Sequence, residues 1–169
     1  MDREQLRIRL RTLVWLALPL TVLLGVPAWL REWAREPGPA RWGLWQWIGL
    51  WLMANGAGLA GWCVYLFIIV GEGTPVPWDP PKRFVLGGPY GVVRNPMMLG
   101  ALTLLAGQVL LCQSRTGLVY TMLMAGAVWA FVRFVEEPQL AKRYGPPYAD
   151  YCRQVPRWMP RVPGCGKSG

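Results

Sequence analysis

The sequence predicts an all-α, polytopic integral-membrane protein with about four transmembrane helices and a C-terminal interfacial helical segment. Three observations carry that prediction. Of 169 residues, 53% are hydrophobic and only 16% are charged, and the mean hydropathy is +0.24. Soluble domains run at about 45–50% apolar and about 25% charged. The apolar residues fall into four long runs, and several of the 11 tryptophans sit at the run ends, where indoles prefer the headgroup level. The length is that of one domain, so we expect a single membrane domain over 1–169.

The first run, 13–30, follows the basic residues Arg7, Arg9 and Arg11. It is long enough to span a hydrocarbon core of about 30 Å and has no small-x-small cleavage site after it. It therefore reads as a retained helix, with a kink expected at Pro19 and Pro27 near its outer end. The second run, 42–70, opens on the belt Trp42, Trp45, Trp47 and Trp51. Its middle, Ala54 to Gly61, is a small-residue patch that lets another helix approach closely. Gly56-x-Gly58-x-x-Gly61 also matches the dinucleotide fingerprint as a string, but no strand precedes it, so the nucleotide reading is rejected. The third run, 97–112, and the fourth, 117–135, form a tight antiparallel hairpin.

Of the 18 Lys and Arg residues, 14 lie in the N-terminal arm, the second loop and the C-terminal segment. The positive-inside bias then puts both termini in the cytoplasm, in what we expect to be a bacterial inner membrane. It also puts the segments 71–96 and 136–161 on one side, where they can build one site; 162–169 reads as a flexible tail. The net charge of +9 is accounted for by topology and attraction to the lipid bilayer, so no nucleic-acid partner is expected. There is no histidine, which excludes His-based zinc, triad and general-base chemistry. The four cysteines lack C-x-x-C spacing and read as small apolar residues plus one tail thiol; no metal is expected.

Three clusters carry the polar chemistry. Gly87 to Pro96 shapes a turn into the third run, with Pro96 suited to the first helical position. The free N–H groups there, with Arg94 and Asn95, favour an anionic or polar ligand, or simply anchor at headgroups. Arg133, Glu136 and Glu137 share one face of a regular helix. They form either a local ion pair or a carboxylate pair for a cation or ligand hydroxyls, beside an Arg that holds an anion. Tyr144 to Arg161 mixes aromatics and Arg in the manner of an interfacial helix. Gly166-Lys167-Ser168 is a P-loop decoy, because the required first glycine is Arg161.

Taken in order, G-P-Y-x-x-V-R-N-P-M-x-x-G, a helical hairpin, then E-E-P-x-L-x-x-x-Y-G-x-x-Y-x-x-Y-x-x-x-V-P-R-W-x-P resembles the isoprenylcysteine carboxyl methyltransferase family, whose relatives include the phospholipid N-methyltransferases. The resemblance implies an S-adenosylmethionine-dependent membrane enzyme acting on a lipophilic small-molecule acceptor (a carboxylate, thiol or amine) at the cytoplasmic face. It implies a cofactor pocket with one wall from Gly88, Pro89, Tyr90, Val93, Arg94, Asn95, Pro96, Leu99 and Gly100. The other wall comes from Glu136, Glu137, Tyr148, Tyr151 and Arg157. Arg94, Arg133 and Glu137 are the expected catalytic group, with either Arg steering the acceptor and the Glu pair binding the cofactor's ammonium or ribose hydroxyls. Asn95 and Met98 stand where the family motif has His and Tyr. Asn95 cannot shuttle a proton at neutral pH, which favours an acceptor that is already anionic. Two other readings stand beside this one: an NAD(P)H-dependent membrane reductase of the sterol-reductase type, and a non-catalytic lipid-binding or scaffold member of the same fold.

Overall fold

A computed structural model describes residues 17–39, 41–71 and 87–160. The basic arm, most of the Pro-rich second loop and the tail lie outside the described residues. Among the described residues all regular structure is helical. Helix α1 is Val26–Trp33, α2 is Leu44–Ile69, α3 is Pro96–Cys112, α4 is Arg115–Phe131, α5 is Glu137–Tyr144 and α6 is Pro146–Gln154. The protein is a helical membrane protein. By length and composition two of its helices can each cross a bilayer alone: Leu44–Ile69 and the continuous Arg115–Tyr144. That is fewer than the four spans expected. Helix α3 has 17 residues and reaches only about 25 Å at about 1.5 Å per residue. The first helix is described only from residue 17. Large apolar side chains such as Leu118, Met122, Leu123, Trp129 and Phe134 stand exposed along the last long helix, as a lipid-facing surface requires.

The first helix is irregular ahead of Pro27, while the turn that precedes Pro19, where a kink is expected, lies outside the described residues. A π turn over Thr21–Gly25 runs into α1, and Pro27 is the second residue of α1. Proline has no N–H for the carbonyl four residues back, and its ring crowds that carbonyl. Widening the preceding turn relieves the crowding. The carbonyls that lose their helical donors are met from other helices. Gln108 Nε2 donates to the Leu23 carbonyl at 2.8 Å and the Tyr120 hydroxyl donates to the Val22 carbonyl at 2.8 Å. These two bonds lock α1 to α3 and α4. The same device recurs at Val132–Glu136, a π turn followed by Glu137 and Pro138. Arg133 lies within this turn, and among the described residues it makes no ion pair with Glu136 or Glu137.

Helices α2 and α3 cross antiparallel at four glycines. A Cβ on Gly56 would lie 2.6 Å from the Gly100 carbonyl oxygen, and one on Gly107 would lie 2.6 Å from that of Gly49. Only backbones without side chains approach so closely, and in lipid such close packing is a main source of helix association. The small-residue patch thus contributes Gly56 to the crossing, while Gly58 and Gly61 face open space and the second notch, Gly49, lies outside it.

The hairpin between α3 and α4 turns at Gln113 (φ 50°) and Ser114. Ser114 Oγ accepts from the Gly117 N–H at 2.9 Å, capping α4, and donates to Glu36. Glu36 also accepts from the Thr116 N–H at 2.9 Å. A carboxylate at a helix N-terminus meets free N–H groups and the positive end of the dipole. Those hydrogen bonds, the Ser114 hydroxyl first, hold the Glu36 carboxyl below its ordinary pKa.

Candidate functional site

The site lies at the other end of α3, where the chain enters the helix. The short 3₁₀ turn Gly88–Gly91 is shaped by Gly88 (φ +60°) and seats Tyr90 against α2. The Tyr90 ring packs on Phe67, centroids 5.5 Å apart, beside the fully buried Cys63. From the C-terminal side, the Tyr151 hydroxyl donates to the Tyr90 carbonyl at 2.7 Å. Tyr151 belongs to a hydrophobic cluster with Tyr148 and Val155, against which Leu140 and Tyr144 of α5 pack, so that α6 folds back over α5 at Gly145.

Two further bonds fasten the C-terminal segment to the entry of α3. The Arg94 N–H donates to the Pro156 carbonyl at 2.9 Å, and Asn95 Nδ2 donates to the Arg157 carbonyl at 3.2 Å. Asn95 is 8% exposed and does not cap α3 with its side chain. It spends that amide on the C-terminal segment instead. Pro96 then starts the helix without needing a donor of its own.

Between these elements lies a charged triad. Glu137 accepts from Arg157 at both oxygens, from Nε at 2.7 Å and from Nη2 at 2.6 Å. Its Oε1 also accepts from Arg94 Nη1 at 3.0 Å. A bidentate Arg–carboxylate pair fixes orientation as well as supplying energy. Two guanidinia against one carboxylate leave the triad with a net positive charge. The Glu137 carboxylate, held by these hydrogen bonds, raises the Arg157 pKa above its ordinary value. Arg94 Nη1 also lies 2.9 Å from Cys152 Sγ.

Among the described residues, three buried polar atoms here have no hydrogen-bond partner: Glu136 Oε2, Arg94 Nε and Trp158 Nε1. Buried polar atoms are paired in native structures as a rule, and each exception calls for an explanation. One orphan is an acceptor that carries charge and two are donors. Together they match a ligand that offers both a cation or hydroxyl and an acceptor group. Around them, burial raises the phenols of Tyr90 and Tyr148, and pushes that of Tyr151 to about 12. These hydroxyls stay protonated near neutral pH and serve as donors.

The structure brings Tyr90, Val93, Arg94, Asn95, Pro96, Glu137, Tyr148, Tyr151 and Arg157 to one place, with Glu136 at the edge facing Tyr90 electrostatically. Gly88 and Pro89 form the supporting turn. Gly100 does not join them, because it faces Gly56 and Ala60 of α2. Leu99 lies further along α3, its carbonyl accepting from Thr103. Arg133 stands exposed, and the ion-pair partners of Glu137 are Arg94 and Arg157 instead. Cys152 was missed as a polar participant. The available signal was its spacing from Tyr148, since residues four apart share a helix face.

Residues 44–147, well over half of the chain, match the model of the phospholipid methyltransferase family. The chain belongs to the phospholipid methyltransferase family. No curated relative and no solved structure matches it. The resemblance to integral-membrane methyltransferases is therefore borne out at the level of this family. The methyltransferase match runs from α2 to the start of α6, and includes Arg94, Asn95, Glu136 and Glu137. It ends before Tyr148, Tyr151 and Arg157, so their place at the candidate site rests on the tertiary contacts described above.

Proposed function

We propose that this family member transfers the methyl group of S-adenosylmethionine to a lipophilic, membrane-associated acceptor at the cytoplasmic face. The observation that carries the reading is the pairing pattern of the two adjacent glutamates. Glu137 is consumed by Arg94 and Arg157, while Glu136 keeps a buried oxygen with no partner among the described residues. Glu136 is thus the residue assigned to the cofactor's ammonium or ribose hydroxyls, and Glu137 positions the two arginines. Arg94 Nε and Trp158 Nε1 are free to donate to an acceptor group on the cofactor. When bound, S-adenosylmethionine supplies a methyl already activated as a sulfonium. The protein then has to align the acceptor and exclude water.

A carboxylate or thiolate acceptor suits this site best. The chain has no histidine, and burial keeps Tyr90, Tyr148 and Tyr151 protonated. An anionic acceptor needs no proton removed, and in this reading Arg94, which stands at the site, steers it. The runs at 13–30 and 97–112 complete four spans in this reading, with both termini and both site segments in the cytoplasm of a bacterium.

The test is calorimetry on purified protein in detergent. Wild type should bind S-adenosylmethionine, and Glu136→Gln should weaken binding about tenfold or more, the scale of a lost charge-assisted hydrogen bond. Unchanged binding in Glu136→Gln refutes the assignment. Stabilisation by NADPH but not by S-adenosylhomocysteine refutes the methyl-transfer reading in favour of a reductase.

A further inference from the structure

At the end of α3 remote from the triad, α1, α2, α3 and α4 enclose a cavity of about 200 Å³. Its lining is mainly apolar, with Leu24, Pro27, Met53, Leu105 and Val109 contributing. Its polar residues are Arg31, Gln108, Ser114 and Thr121, of which Gln108 and Ser114 are already hydrogen-bonded to other groups. Apolar cavities of about 150 Å³ are large enough to take up a small hydrocarbon. The cavity reaches the lipid side of α1, where Leu24 and Ala28 are exposed.

Arg31 is the unexpected lining residue. Its Nε is buried and has no hydrogen-bond partner among the described residues. The nearby carboxylate, Glu36, is already engaged by Ser114 and Thr116, and no described carboxylate pairs with Arg31. Arg35 and Arg115 add further positive charge around this end of the helices. On the same short helix, Trp29 and Trp33 are exposed and stacked, centroids 6.4 Å apart, as an indole pair at headgroup level is. An unsatisfied guanidinium nitrogen at headgroup level, above an apolar cavity open to lipid, is complementary to a molecule with an anionic head and a hydrocarbon tail.

We propose that this cavity binds an anionic phospholipid from the surrounding bilayer. The phosphate pairs with Arg31, and part of one acyl chain enters between α1 and α3. On α3 the cavity is lined from Leu105 onward, about 14 Å along the helix from Pro96 at about 1.5 Å per residue, and it shares no lining residue with the triad, so it is separate from the methyl-transfer site. Since α1 is also held by the bonds from Gln108 and Tyr120, a lipid seated there would brace the helix whose carbonyls the π turn exposes.

The experiment uses the full chain in detergent, titrated with dioleoylphosphatidylglycerol, dioleoylphosphatidylcholine or inorganic phosphate, and read by native mass spectrometry and thermal stability. Wild type should bind the phosphatidylglycerol at least about tenfold more tightly than the phosphatidylcholine, the scale of a charge-assisted hydrogen bond. Arg31→Gln should abolish that preference. Ala28→Phe, which fills the cavity from its exposed rim and leaves Arg31 in place, should weaken phosphatidylglycerol binding. Equal binding of the two lipids by wild type overturns the proposal, as does a preference retained by Arg31→Gln. Stabilisation by inorganic phosphate equal to that by the lipid overturns the role of the acyl chain. If Arg31→Gln does not fold, Ala28→Phe decides, and unchanged phosphatidylglycerol binding in it refutes the site.

Discussion

Replacing Gly56 by alanine should destabilise the protein, while the same change two residues later, Gly58→Ala, should not. The added Cβ at Gly56 would lie 2.6 Å from the Gly100 carbonyl oxygen and 2.7 Å from the Leu104 nitrogen. Ordinary contacts begin near 3.4 Å, and the opposing atoms are backbone, so α2 and α3 must part by up to about 0.8 Å at this point. Forced overpacking of this kind costs about 1–3 kcal/mol. Alanine's better helix propensity returns up to about 1 kcal/mol at either position. The net expectation for Gly56→Ala is a loss of about 1–2 kcal/mol. At Gly58 a Cβ meets nothing within 4 Å, so only the propensity gain remains. Reversible unfolding in mixed micelles, followed by circular dichroism, measures both. Because α3 begins at Pro96 beside Asn95, parting the helices also displaces one wall of the site. Cofactor binding should weaken in Gly56→Ala and hold in Gly58→Ala. A Gly56→Ala protein as stable as wild type, or a Gly58→Ala protein less stable than Gly56→Ala, refutes the crossing as described.

Three further outcomes are expected. Removing Glu137 leaves two partly buried guanidinia unpaired; with side-chain exposures of 15% for Arg94 and 28% for Arg157, solvent softens the cost, and Glu137→Gln should lose about 2–3 kcal/mol. The double variant Glu137→Gln/Arg157→Gln should lose less than the sum of the singles, and additive losses in the micelle unfolding assay would break the coupling claim. Gln108→Leu should cost about 1–3 kcal/mol, because the Leu23 carbonyl then loses its donor, with near-normal stability counting against the carbonyl-rescue account. The folded pKa of Glu36 is held below 4.5, so its stabilising contribution is present above the unfolded value and is lost as pH falls through the folded one. The stability gap between wild type and Glu36→Gln should therefore be steady above pH 4.5 and close on further acidification, and a gap that stays unchanged as the pH is taken well below 4.5 would contradict it.

Much of this architecture was legible from local pattern. The helical hairpin at residues 113–116 followed from a short polar break between two apolar runs. Pro96 at the start of α3 followed from proline's missing donor and fixed φ. The entry loop, the Glu pair and the Tyr-rich segment were legible as a set, because their order and spacing matched one family's motifs. The irregular turns were less legible. Pro27 and Pro138 are each preceded by a π turn, which nothing in the local sequence announces. Ahead of Pro27 the freed carbonyls are met by Gln108 and Tyr120, from 85 and 98 residues away, which local pattern does not reveal.

Composition and spacing determined that this chain is helical, apolar and built for a membrane, and which residues were available for chemistry. Those properties depend on each residue's own hydropathy and donors, and on neighbours within a helical turn. The division of labour among those residues was decided only in three dimensions. Arg133 is three and four residues from the two glutamates, yet the arginines that pair with Glu137 come from 43 residues before it and 20 after it. A buried carboxylate takes whichever cations the folded backbone brings within hydrogen-bond reach. The folding of α6 back over α5 is what spent Glu137 on Arg157 and left Glu136 with an oxygen to offer.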